Sequence, residues 1–162
     1  MFRFTISILI AAALLAGAPL ASASEPARSS PVARKALLPI DVHRNPACGC
    51  CMKWVAHLRE AGFHVNVHEH DDMQAVKQEM GVPKAMHSCH TAKVGDYFVE
   101  GHVPASDIKR LLSDKPSARG IAVPGMPLGS PGMEAPDGTV QPYEVQLVGH
   151  NDATQVYSRH GH

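Results

Sequence analysis

Apolar positions change period several times along the chain, and each change marks an element. Ile40 to His43 alternates apolar with polar residues, the pattern of a short strand, and Arg44-Asn45-Pro46 closes it. Cys51, Trp54, Val55, Leu58 and Ala61 then recur at helical spacing, and Gly62 stops that helix. Phe63 to His68 sets Phe, Val and Val against His, Asn and His, which is the period of a strand. Asp71 or Asp72 caps a second helix in which Met73, Val76 and Met80 share a face, and Gly81 and Pro83 end it. Thr91 to Val94 and Tyr97 to Glu100 form a hairpin turned by Gly95-Asp96. Pro104 opens a third helix with Ile108, Leu111 and Leu112 inward, and Lys115-Pro116 ends it. From Gly120 to Gly138 the chain is rich in Gly and Pro and is expected to hold no regular structure. Tyr143 to Val148 and Thr154 to Tyr157 are expected as two closing strands.

The fold class expected is therefore α/β. It has a thioredoxin-like β-α-β-α-β-β-α core, a Gly/Pro/Met loop and a C-terminal β-hairpin. That order places the Cys48-Gly49-Cys50-Cys51 cluster between the first strand and the first helix. At a helix N-terminus the dipole and the unpaired amides favour thiolate over thiol. The same order makes the loop before the third strand face the cluster, and that loop carries Ser88-Cys89-His90. A fourth sulfur is thus expected beside the first three.

The N-terminus changes the setting. Arg3, the apolar run Phe4 to Ala18 and Ala21-Ser22-Ala23 have the form of a secretory signal peptide over residues 1–23. A retained anchor is the alternative, but the run is short against the roughly 20 residues of a membrane span. Residues 24–36 are small, polar and Pro-containing and read as a flexible leader. The domain follows over 37–158, with a His-bearing tail at 159–162. Export would make the mature chain periplasmic and free of the membrane. Lys and Arg balance Asp and Glu to a formal charge of zero, so nothing points to nucleic acid or an anionic membrane surface as partner.

Four cysteines in an exported chain would ordinarily be two structural disulfides. Here three lie within four residues, and bonding neighbours such as Cys50 and Cys51 would be strained and would staple little. Thiolates instead select soft ions, and closely spaced thiolates can bridge several of them. Methionine narrows the metal. Met126 and Met133 sit in Pro-Gly-Met turns with no core to fill, and thioether sulfur suits Cu(I) and serves zinc poorly. The expected metal set is Cys48, Cys50, Cys51 and Cys89, with His90, Met126 and Met133 as further contacts and His87 behind them. Met73 and Met80 are assigned to packing. His68-Glu69-His70 and Arg159-His160-Gly161-His162 offer imidazoles for loose Cu(II) binding but are read first as solvated surface. His43, His57, His64, His102 and His150 are read as structural or exposed, and Trp54 as core. The competing chemistry is thiol-disulfide exchange through the Cys48 and Cys51 C-x-x-C pair, a reading that leaves Cys50 and Cys89 unused. A disulfide-stapled adaptor without chemistry is the third class.

Asn45-Pro46-Ala47-Cys48-Gly49-Cys50-Cys51-Met52-Lys53-Trp54, Ser88-Cys89-His90-Thr91-Ala92, Val99-Glu100-Gly101-His102-Val103-Pro104, Val123-Pro124-Gly125-Met126-Pro127 and Gly129-Ser130-Pro131-Gly132-Met133-Glu134 occur in this order. In these motifs, from about Ile40 to Tyr157, the chain resembles the CopG-type periplasmic copper-resistance proteins, a family formerly known as a domain of unknown function. The resemblance implies a thioredoxin-like fold carrying a cysteine-bridged, multinuclear copper cluster on Cys48, Cys50, Cys51 and Cys89. It also implies copper handling with interconversion of Cu(I) and Cu(II), copper ions as the ligand and other periplasmic copper-handling proteins as partners.

Overall fold

Ile40 and Val42 of the first strand, β1 (Ile40–Arg44), are fully buried, while Asp41 and His43 between them are half-buried. This alternation gives the sheet a core face and a second face. The computed structural model describes residues 37–162, so the signal peptide and leader expected over 1–36 lie outside the described residues.

From β1 the chain enters α1 (Gly49–Glu60), which buries Cys51, Trp54, Val55 and Leu58, and Gly62 at φ +93° ends the turn that follows. That positive φ is the usual glycine exit from a helix. β2 (Val65–Glu69) returns parallel to β1. Asp72 caps α2 (Met73–Glu79) by accepting from the amides of Gln74 and Ala75. A short 3-10 turn (Lys84–Met86) leads to β3 (His90–Val94), β4 (Tyr97–Glu100) and α3 (Ala105–Asp114).

β1 and β3 are antiparallel, as are β3 and β4. α1 and α3 cover one face, where Trp54, Val55, Leu58, Ile108 and Leu111 join Ile40, Val42, Ala92, Val94 and Val99 in one core. α2 lies over the other face, against β1 and β3. The α/β class and the expected element order hold. Among the described residues no helix is long and apolar enough to cross a membrane.

Two expectations need correction. Gly120–Ala122 is not loop but a strand, β5, running parallel to β4. A Cβ on Gly120 would fall 2.6 Å from Cγ of Phe98, so the glycine lets a phenyl ring lie across the strand rather than breaking it. β5 then pairs with β6 (Tyr143–Val148), and β6 with β7 (Thr154–His160). The result is one seven-stranded sheet in the order β2-β1-β3-β4-β5-β6-β7. The last strand also passes the expected end at Tyr157. Its His160 bonds Asp107 at 2.7 Å and stacks on Tyr143, so this histidine belongs to the domain rather than to a tail.

One half-buried histidine joins the two helices of the first face. His57 of α1 accepts the amide of Ala105 at 3.1 Å, supplying a cap where Pro104 has none to give. Burial holds its pKa below the ordinary 6.5, partly offset by Glu134 and Glu60. Protonation therefore favours the unfolded chain: the contribution is present above about 6.5 and is lost as the pH falls through the lowered folded value. His57→Gln should show a smaller fall in melting temperature between pH 7 and pH 5 than the wild type. Equal falls would rule His57 out as a source of the acid sensitivity.

Candidate metal centre

The cysteine turn is wrapped around a buried cation. Arg44, at the end of β1, donates through Nη1 to the carbonyls of Asn45, Pro46 and Cys48 at 2.9, 3.2 and 3.0 Å, and through Nη2 to Glu69 at 2.6 Å. The turn is thereby fixed before α1 begins. Cys48 is the residue at the N-cap of α1, and its side chain makes no capping bond.

Cys48 and Cys51 are joined by a disulfide, with their Cα atoms 5.5 Å apart. In this state two of the four cysteines are oxidised, and the expected four-thiolate set requires that bond to be reduced. Adjacent cysteines remain unpaired, but one turn of helix brings residues three apart within disulfide reach. Cys50 and Cys89 are free. The Cys50 sulfur is 3.5 Å from that of Cys48 and 4.0 Å from that of Cys89. All four sulfurs lie within 4.8 Å of one another, so the expected approach of Cys89 to the cluster is present.

Cys89 also belongs to a second group. Its sulfur lies 3.2 Å from His90 Nδ1 and 3.1 Å from His102 Nε2, and these three residues form a donor set of their own. His102 Nδ1 donates to the carbonyl of Pro131 at 2.8 Å, which leaves Nε2 as the lone-pair nitrogen facing Cys89. His90 is fully buried beside Trp54, their rings 4.3 Å apart, and its Nε2 has no hydrogen-bond partner. Burial pushes the Cys89 thiol up to about 12, with the neighbouring Cys50 adding to the shift. It also holds His90 and His102 below the ordinary histidine value. Without metal, the site is a neutral thiol between two neutral imidazoles.

His102, read from sequence as structural or exposed, is fully buried at this site. The available signal was the glycine before it. Gly101 takes φ +72°, and a Cβ there would lie 2.5 Å from the Val123 carbonyl and 2.7 Å from Ser88 Cβ. Only a glycine lets β4 end in a turn this close to the Cys89 loop, and that turn carries His102 back to the sulfur.

The loop itself is held from below. Glu100 Oε1 accepts the Ser88 amide and the Lys77 ammonium, each at 2.5 Å, and Thr91 donates to Oε2. Lys77 and Glu100 are both buried. On the outer side, Gly132 lies where a Cβ would meet Trp54 N and Cys50 O, and Met133 and Cys50 line one cleft of about 790 Å³. Met126 is half-exposed, in a loop tied to the Cys89 loop by the hydrogen bond that Ser88 Oγ donates to the Gly125 carbonyl. His87 turns to the carbonyl of Val82, 3.2 Å away.

A family model described as "Protein of unknown function, DUF411" matches residues 86–133. Two solved structures are similar over most of the chain: copper resistance protein CopG, form 2, and the same protein, form 1. Each is 46% identical with a TM-score of 0.73. They cover 77% and 78% of this chain, respectively, and 99% of their own. No curated protein sequence matches significantly.

Proposed function

This chain belongs to the family of the CopG copper resistance proteins, and from that premise we propose that it is a periplasmic copper-binding protein of copper resistance. The observation that carries this reading is the convergence of four sulfurs, from two separate segments, within 4.8 Å. A stapling disulfide needs two sulfurs, whereas bridged Cu(I) ions use all four. Once the Cys48–Cys51 bond is reduced, Cys48, Cys50, Cys51 and Cys89 would hold Cu(I), with more than one ion per chain through shared thiolates. His90 and His102 are imidazole donors beside Cys89, and Met133 is the thioether nearest the cleft. Copper is the cargo, donated and received by other periplasmic copper-handling proteins.

The disulfide gives this reading a redox step that balances. Two Cu(II) ions each take one electron as the Cys48 and Cys51 thiolates join, which yields two Cu(I) and the disulfide. In reverse, two Cu(I) ions supply the electrons that open it. The second reading is thiol-disulfide exchange with a protein substrate, and the Cys48–Cys51 bond is the observation that favours it.

Metal loading separates the two. The reduced protein, mixed without oxygen with Cu(I) and Zn(II) and then desalted, should retain more than one copper per chain and little zinc. No tightly held copper, together with reduction of a test disulfide, would turn the assignment to the second reading.

A further inference from the structure

Three histidines outside the sulfur site converge on the edge of the sheet. β1 and β2 run parallel with His43 opposite His68, and His70 follows just beyond β2, its amide bonded to the Arg44 carbonyl at 2.9 Å. Side chains two apart on a strand point the same way, so His68 and His70 both lie on the side of His43. The His43 ring stacks on both, with centroids 4.8 Å from His68 and 5.0 Å from His70. His43 Nδ1 is 2.8 Å from His70 Nε2. His68 Nε2 is 3.1 Å from a carboxylate oxygen of Asp41, which also accepts from Asn66.

We propose that His43, His68 and His70 form a second metal site, free of sulfur, that takes Cu(II). Imidazole nitrogens bind such ions at about 2.0 Å, so two cis ligands of a square-planar ion stand about 2.8 Å apart. His43 and His70 already hold that separation, through one shared proton that a cation would replace. Asp41 takes the proton of His68 Nε2, which leaves Nδ1 as the atom that the exposed His68 ring must swing toward the other two, because the three nitrogens do not yet meet at one point. It also places an anionic group behind the ligand, as carboxylates do at histidine metal sites. Imidazole serves several divalent ions, and among these the affinity order places Cu(II) first. No thiolate or thioether is part of this cluster, so it lacks the soft donors that select Cu(I).

The site is anchored to the sulfur site through one residue. The Arg44 carbonyl holds the His70 amide, and its guanidinium holds the Cys48 carbonyl.

The test removes the sulfur site from the reaction. With the Cys48–Cys51 bond closed, Cys50 and Cys89 are the free cysteines, so the full chain carrying Cys50→Ser and Cys89→Ser offers Cu(II) no thiol. Titrated with Cu(II) alone, it should take up one tightly held ion whose electron paramagnetic resonance spectrum shows nitrogen couplings. His43→Gln and His70→Gln should each weaken binding about tenfold or more, and Asp41→Asn by about tenfold, within the range seen when a ligand's support is lost. His70 lies past the strand end, so its variant keeps the test open if His43→Gln does not fold. His160→Gln/His162→Gln should leave the spectrum unchanged. Absence of tight Cu(II), preference for zinc over copper, or an affinity and spectrum unchanged in both His43→Gln and His70→Gln would overturn the proposal.

Discussion

Lys77→Met is expected to lower the stability of the fold by about 3–5 kcal/mol, the range found when one partner of a buried ion pair is removed. Lys77 and Glu100 have side chains only 2% and 0% exposed, and their contact is 2.5 Å. Methionine fills much of the lysine volume, so the loss would come from charge rather than from a cavity. Thr91 and the Ser88 amide would still donate to the carboxylate, but no cation would balance it. A denaturant titration should show a lower midpoint with an unchanged slope. Lys77→Met/Glu100→Gln, which removes both charges, should recover a large part of the loss. A double variant no more stable than Lys77→Met would place the cost in packing. Copper binding gives a second readout. Glu100→Leu frees the Ser88 amide that precedes Cys89, so it should weaken Cu(I) binding more than Lys77→Met does at matched folded fraction.

That pair also shows where the sequence stops being legible. Met73, Val76 and Met80 give the inward face of α2 correctly, but Lys77 lies on the same face, and a lysine there normally reaches solvent. Its partner comes from β4, so no local pattern could announce it. β1, α1, β3 and β4 were readable because alternation and helical spacing report burial directly. β5 was not, because glycine next to proline-rich loop is the usual sign of a turn. Gly120 is instead required by the ring of Phe98 from the neighbouring strand.

The site divides in the same way. Cys48, Cys50 and Cys51 are adjacent in sequence, and element order alone brought Cys89 to them. His102 and His43 could not be found so, since each becomes a candidate donor only through a contact across strands or loops, whereas His68 and His70 were candidates by spacing but read first as surface. The Cys48–Cys51 bond depends on the first turn of α1 bringing residues three apart together, a geometry that the list of cysteines does not state. The cluster is therefore more than a thiolate set: it carries a two-electron disulfide beside two free thiols.

Cys89→Ser should have the largest effect on metal. Cys89 belongs both to the four-sulfur group and to the group with His90 and His102, so one substitution breaks the link between them. A serine oxygen is a hard donor with little affinity for Cu(I). It is close in size to the thiol and can still donate to His102 Nε2, so the fold should change little. The reduced variant is expected to retain at most one copper per chain, bound about tenfold or more weaker than in the wild type, on the scale of losing support around a metal. Copper per chain after competition with a Cu(I) chelator measures this directly. Wild-type copper content in Cys89→Ser would remove Cys89 from the site and reduce the sulfur donors to the helix turn alone. Disulfide exchange makes the opposite demand, since it needs only Cys48 and Cys51. Reduction of a test disulfide that survives the substitution while copper is lost would show that the two chemistries use different sulfurs of one cluster. Loss of copper without any disulfide reductase activity in either protein would leave metal binding as the chemistry of the site.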